Sequence, residues 1–226
     1  MAERDWCSRL YARSARCPRL DPVALGLRKT LERPNRRIHA VYFPESGFAS
    51  VVAIQPGGKQ VEIGLIGREG MSGLPIVLGN HRSPNTTYMQ AAGNGRCILA
   101  AELRRATQTS GSLRDSLLKY VQAFGVQTAH TAISNAQSRT DVRLARSLLM
   151  AHDRVAADTL PLTHEFLSLM LAVRRAGVTD ALKALRQRRL ISYRRGQITI
   201  YDRRGMERFA GPAYGTPESE YRRLIR

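Results

Sequence analysis

Between Arg174 and Arg195 the chain carries eight basic side chains (Arg174, Arg175, Lys183, Arg186, Arg188, Arg189, Arg194 and Arg195) against one acid, Asp180. Such a set suits a polyanion. Guanidinium groups form bidentate hydrogen bonds to phosphate and to the edge of guanine, and an ammonium acts as a point charge on phosphate. A solvated surface helix carries similar charge. The elements that hold these residues therefore decide between the two.

The apolar residues around them define those elements. Phe166, Leu167, Met170 and Leu171 recur at helical spacing, and so do Val173, Val178, Leu182, Leu185 and Leu190 after a break at Ala172. Ile191 to Tyr193 and Gln197 to Tyr201 then flank a turn at Arg195-Gly196, and the second run alternates as a half-buried strand does. Helix, turn, helix and β-hairpin is the order of a winged helix-turn-helix, whose second helix enters the DNA major groove. Arg174, Arg175, Thr179 and Lys183 are the candidates to read or position from that helix. Arg194 and Arg195 are the candidates for phosphate contact from the wing.

This stretch resembles the DNA-binding domain of the Crp/Fnr family of bacterial transcription factors. The resemblance is carried by Leu162-Thr163-His164-Glu165, by Leu167, Met170 and Leu171, and by Val173-Arg174-Arg175-Ala176-Gly177-Val178. Leu182, Leu185 and Arg189-Leu190-Ile191 complete it, and it extends upstream over residues 22–210. It implies an α+β fold in three parts. These are a β-roll (jelly-roll) sensor of the cyclic-nucleotide-binding type over 1–109, a long dimerisation helix over 110–137, and a winged helix-turn-helix over 138–226. It implies a cytoplasmic homodimer that binds double-stranded DNA and regulates transcription, with RNA polymerase as a candidate partner. The departures are Ala176 where the family often has glutamate, Asp180 where it often has arginine, and Ala172 where glycine is common in the turn.

Upstream, short runs punctuated by Gly, Pro and Asn read as strands: Leu27 to Glu32, Ile38 to Phe43, Phe48 to Ile54, Gln60 to Ile66, Thr86 to Ala91 and Arg96 to Ala100. Gly64, Gly67, Gly70 and Gly73 recur at every third position, which matches neither a dinucleotide fingerprint nor a P-loop. The resemblance implies an effector site at Gly70, Ser72, Gly73, Arg82 and Ser83, where relatives wrap a cyclic phosphate. Gly73 stands where the ribose-binding glutamate belongs, so classical cyclic AMP is not the expected effector.

Residues 110–137 read as one helix, capped by Ser112, with a seam at Leu117, Val121, Phe124, Thr128, Thr131 and Asn135. The first four of these are the expected dimer interface. Thr140 is the expected cap of the next helix, and the tail after Ala210 reads as loosely ordered. Trp6, Leu10 and Tyr11 suggest a turn or two of helix near the N-terminus.

The chain of 226 residues has a net charge of +18, concentrated in its first 40 and last 67 residues. It has no run of 18 apolar residues and no signal-peptide pattern, so no membrane partner is expected. Cys7, Cys17 and Cys97 form no disulfide framework and fall short of the four cysteines of a family iron–sulfur cluster. His164-Glu165 is followed by Ser168, not by the second histidine of a zinc protease, and no nucleophile elbow is present. No enzyme activity, metal or cofactor is therefore expected. The competing reading is a small-ligand or protein-interaction module whose basic face is incidental.

Overall fold

The computed structural model describes residues 20–225. The turn of helix expected around Trp6 to Tyr11, and Cys7 and Cys17, lie outside them. The first half is built of β1 (Asp21–Leu25), β2 (Thr30–Glu32), β3 (Ala40–Pro44), β4 (Phe48–Ile54), β5 (Gln60–Ile66), the short helix α1 (Leu74–Val77), β6 (Thr86–Ala91) and β7 (Gly93–Leu99). The strands form two antiparallel sheets, β1-β7-β3 and β2-β6-β4-β5. The segment expected as a strand from Leu27 to Glu32 is a turn with Arg28 at φ +62°, and only Thr30–Glu32 pairs. Gly47 turns β3 into β4 at φ +70°, where a Cβ would collide with the carbonyls of Ala91 and Ala92. Between the sheets lie Leu25, Leu31, Ala49, Val51, Ile66 and Met89.

Helix α2 (Ala100–Thr109) was not expected from the sequence; it buries only Ala100, Leu103 and Ala106, a faint periodic signal. Helix α3 (Gly111–Gln137) follows at once. Its cap is Ser110, whose Oγ accepts from the Leu113 N–H at 3.3 Å, and the expected cap Ser112 sits inside the first turn. Helix α4 (Thr140–His152) likewise begins at Thr140 without a hydroxyl cap. Asp141 serves its first turn instead, accepting from the Val142 N–H at 3.0 Å and pairing with Arg139 at 2.9 Å.

The remainder is β8 (Thr159–Pro161), α5 (His164–Leu171), α6 (Arg175–Gln187), β9 (Ile191–Arg194), β10 (Gln197–Ile200), α7 (Arg203–Ala210) and α8 (Thr216–Ile225), with a sheet ordered β8-β10-β9. The tail expected to be loose is ordered. Its Pro217 lies in the first turn of α8, where a missing N–H costs nothing. Tyr221 and Ile225 pack against the cluster that holds Leu113, Leu117 and Tyr120, and the Tyr221 hydroxyl donates to the Glu69 carbonyl at 2.8 Å. Asp153 accepts from Arg203 at 2.6 Å and from the Tyr214 hydroxyl at 2.7 Å, which fixes α7 to the end of α4.

The two halves share a core. Phe48, Leu65 and Ala91 of the sheets are in one cluster with Leu144, Leu148 and Leu149 of α4 and with Phe166 and Met170 of α5. Paired polar groups cross this junction. The Gln127 amide accepts from the Leu65 N–H at 2.6 Å and donates to its carbonyl at 3.2 Å. Arg154 lies 2.6 Å from Glu69. Ser50 donates to buried Glu62 at 2.6 Å. Burial raises Glu62 to about 7, against the opposing pull of the Ser50 hydrogen bond and the charges of Arg146 and Arg154.

A carboxyl that holds its proton more tightly in the folded chain stabilises the fold at low pH. The contribution is complete below the ordinary value of 4.5 and is lost as pH rises to about 7. Urea titrations across that window should show stability falling, with buried Glu32 acting in the same direction. Glu62→Gln, which still accepts from Ser50 and carries no charge, should flatten the fall. An unchanged slope would remove Glu62 as its cause.

Candidate nucleic-acid interface

The basic residues singled out in the sequence are presented by α5, α6 and the β9–β10 hairpin. Thr163 caps α5 by accepting from the Phe166 N–H at 3.3 Å, and Phe166, Leu167, Met170 and Leu171 bury its inner face. The chain then turns through Ala172 at φ +50°. The N–H of Ala172 donates to the Leu169 carbonyl at 3.2 Å and that of Val173 to Ser168 at 3.1 Å, while the Arg143 guanidinium reaches the Leu171 carbonyl from α4. The end of α5 is thus tied into α4, and the turn aims α6.

Helix α6 buries Val178, Ala181, Leu182 and Leu185. Its opposite face presents Arg175, Thr179 and Lys183, all exposed, at four-residue steps, with exposed Arg174 immediately before the helix. The helix closes through Arg189 at φ +57°, with Leu190 N–H donating to the Leu185 carbonyl at 3.1 Å. The hairpin pairs Arg194 with Gln197 across a two-residue turn in which Arg195 and Gly196 have φ +49° and +75°. Positive φ at both positions is the signature of a type I′ turn, for which Asn-Gly is the usual pair. Arg194 and Arg195 are both exposed. Among the described residues, none of Arg174, Arg175, Lys183, Arg194 and Arg195 enters an ion pair. One row of free cations on a helix and a second on the adjacent hairpin fits a groove and the phosphates along its edge.

A family model described as a Crp-like helix-turn-helix domain matches residues 142–209, the span from α4 through most of α7. FixK2 from Bradyrhizobium japonicum superposes with a TM-score of 0.72 at 13% identity, over 87% of this chain and all of that one. A CRP-family transcriptional regulator from Thermus thermophilus gives 0.67 at 19% identity, over 84% of this chain and 96% of that one. The c-di-GMP-responsive global regulator CLP of Xanthomonas campestris gives 0.62 at 17% identity, over 87% and 98%. Residues 142–209 thus match a Crp-like helix-turn-helix domain, and the whole chain shares the fold of these regulators. No curated protein matches the sequence.

The five expected effector residues do not face one another across a common site. Gly70 lies under the Tyr120 ring, and its N–H donates to the Gly67 carbonyl at 3.0 Å. Ser72 is buried and accepts from the Tyr42 N–H at 3.0 Å. Ser83 is buried and accepts from Asn85 N–H at 3.1 Å, while Arg82 is exposed. The Gly73 N–H donates to the buried carboxyl of Glu32 at 2.9 Å. Burial raises the pKa of Glu32, with the Gly73 and Thr87 hydrogen bonds pulling the other way. Sequence reasoning missed Glu32 because it stands 41 residues from Gly73. Its one signal was an acid in a short strand beside apolar Leu31.

Two of the four residues expected at a dimer seam are taken up within the chain itself. Leu117 is fully buried and Phe124 nearly so, both in cores of their own chain, while Val121 and Thr128 are half-buried. The outward face of α3 instead runs through Leu118, Gln122, Gly125, Ala129, Ile133 and Ala136. Heptad spacing identified an apolar stripe but not which neighbour covers it. Cys97 is half-buried in β7. Among the described residues no group of His, Cys, Asp and Glu could hold a metal ion, and no helix is long and apolar enough to cross a membrane.

A left-handed conformation costs a residue with a Cβ about 1–2 kcal/mol that glycine avoids, less glycine's greater entropy loss on folding. Ala172 is exposed, so nothing else holds its methyl in place. Ala172→Gly should therefore stabilise the protein by about 0.5–1 kcal/mol. Denaturant titration checks this, and a loss of stability would mean that the turn carries no strain.

Proposed function

We propose that the protein is a sequence-specific DNA-binding regulator of transcription that acts as a homodimer in the cytoplasm. The observation that supports this best is the exposed row of Arg175, Thr179 and Lys183 on the outer face of α6, its two cations outside any ion pair among the described residues, flanked by the Arg195-Gly196 wing. In this reading α6 lies in the major groove, Arg175 contacts a guanine edge, Arg174 and Lys183 help position the helix, and Arg194 and Arg195 meet phosphates. Ala176 and Asp180 alter the face presented to the bases, so the operator differs from that of relatives with glutamate and arginine there. The effector is not classical cyclic AMP, because Glu32 already holds the amide at Gly73. RNA polymerase is the candidate downstream partner for an activating role.

Binding titrations on a selected operator and on random duplex, at several salt concentrations, test the reading. Arg175→Ala should weaken operator binding by roughly 1–3 kcal/mol and relax the preference at one base pair. Equal losses on both duplexes would mean that α6 positions the protein without reading sequence. Arg195→Asn suits the I′ turn better than arginine, so it should raise stability slightly. It should also weaken all DNA alike and lower the salt slope by about one.

Dimerisation is assigned to the outward face of α3. Small residues at Gly125 and Ala129 allow two such helices to approach closely, with Leu118 and Ile133, 40% and 51% exposed, sealing the ends. Light scattering should find a dimer at micromolar concentration, and Ala129→Arg should give a folded monomer with weak operator binding. A monomeric parent protein would refute the assignment.

A further inference from the structure

Helix α8 follows the helix-turn-helix part in sequence but packs on the other half of the chain. The cluster that receives Tyr221 and Ile225 is built from β3, β7, α1, α2 and α3 with their flanks, and holds no residue of α5, α6 or the β9–β10 hairpin. The Tyr221 hydroxyl donates at 2.8 Å to the carbonyl of Glu69, in the loop between β5 and α1. The end of α4 reaches the same residue, since Arg154 lies 2.6 Å from the Glu69 carboxylate. Just before α8, Tyr214 joins Arg203 in holding Asp153, beside Arg154. The corner where α4 meets α7 is therefore tied to the β5–α1 loop twice, once by an ion pair and once by a helix that spans between them.

The second tie is the weaker one. Of the ten residues of α8 only Pro217 is buried, and Thr216, Ser219, Arg222 and Arg223 are exposed. A free helix of that length is marginal in water, so α8 keeps its form only while docked. An open cavity of about 600 Å³ lies between it and its bed, lined by Arg68, Tyr120, Phe124, Arg154, Tyr214 and Glu218. The dispersion contacts that close packing would supply are missing there. The chain enters α8 through Gly211 and Gly215, at φ +53° and +111°, and no heavy atom lies within 4 Å of a Cβ built on either. Nothing crowds these two joints, so α8 can leave its bed while α7 stays in place.

We infer that α8 is a releasable strap that fixes the orientation of the helix-turn-helix part relative to the sheets, with Tyr221 as its positioning residue. Its consequence for binding rests on the DNA-reading and dimer assignments above. A dimer gains from gripping two half-sites at once only while its two heads are held at the matching spacing. Docking of α8 therefore favours an operator with two half-sites and leaves a single half-site indifferent. By linkage, operator binding must favour docking in return.

Amide hydrogen exchange on the full-length protein tests the strap without DNA. The amides of 216–225 should exchange as a group, about tenfold or more faster than those of α3, which are released only when the core opens. Protection equal to that of α3 would overturn the inference. Adding the two-half-site operator should slow exchange in α8, and a single half-site duplex should not. Tyr221→Ala/Ile225→Ala should weaken operator binding roughly tenfold and leave half-site binding unchanged. Arg223→Gln, on the exposed side of α8, should leave the ratio of the two affinities as it is in the parent protein. Equal losses of the double variant on both duplexes would overturn the inference, since α8 would then serve the fold alone or touch DNA itself. If neither duplex binds the parent protein, the DNA-reading assignment fails and the exchange comparison alone decides the strap.

Discussion

The amide of buried Gln127 both accepts from and donates to the backbone of Leu65. An amide buried there without partners would cost about 1–3 kcal/mol for each group left unsatisfied, more than a bond contributes, so the long helix has one favoured position against β5. Much else follows from that position. It sets Phe124 into the core between the sheets and Tyr120 against the cluster that receives Tyr221. It leaves α4 to begin beside the same sheet, where Leu144 and Leu148 meet Phe48 and Leu65. The orientation of α5 and α6 is inherited from α4 through the shared core and through the Arg143 contact to the end of α5.

Much of this arrangement was legible in the sequence, because local signals agreed with the global fold there. Phe48 to Ile54, Gln60 to Ile66 and Thr86 to Ala91 are β-rich runs bounded by turn residues, and each is a strand with those limits. The helix–turn–helix and its hairpin were legible because apolar spacing changed from helical to alternating at a Gly-containing turn. Failures arose where a residue's role depends on a distant partner. Leu117 and Phe124 are apolar at heptad spacing whether the neighbour is another chain or their own sheets. Ser110 and Ser112 compete for one cap, and two residues of offset decide it. Glu32 meets Gly73 only once β2 and the turn before α1 have been brought together. The tail misled for the opposite reason, since its Gly and Pro residues delimit a helix and do not prevent one.

The helix-turn-helix and its hairpin contain three left-handed residues that are not glycine: Ala172, Arg189 and Arg195. Each sits where the backbone must reverse, and glycine would adopt those angles without steric cost. Two of the three are arginines on the face that carries the other free cations. A local rule broken at a functional surface fits a side chain retained for its charge at some expense in stability. Ala172 admits no such account, as a methyl in solvent offers DNA nothing that a hydrogen would not.

The continuous core from Phe48 to Met170 makes the two halves poor candidates for separate life. Excising the helix-turn-helix part near Ser138 would uncover the apolar faces of α4 and α5 that the sheets now cover, leaving a fragment prone to aggregate. Heating the whole chain should accordingly melt both halves together, as one cooperative unit. Drift at Phe48 or Leu65 would be felt in the packing of α5, however far those strands lie from any nucleotide. The inner surface of the sheets is therefore held in place by two obligations at once, to its own barrel and to the helices of the helix-turn-helix domain.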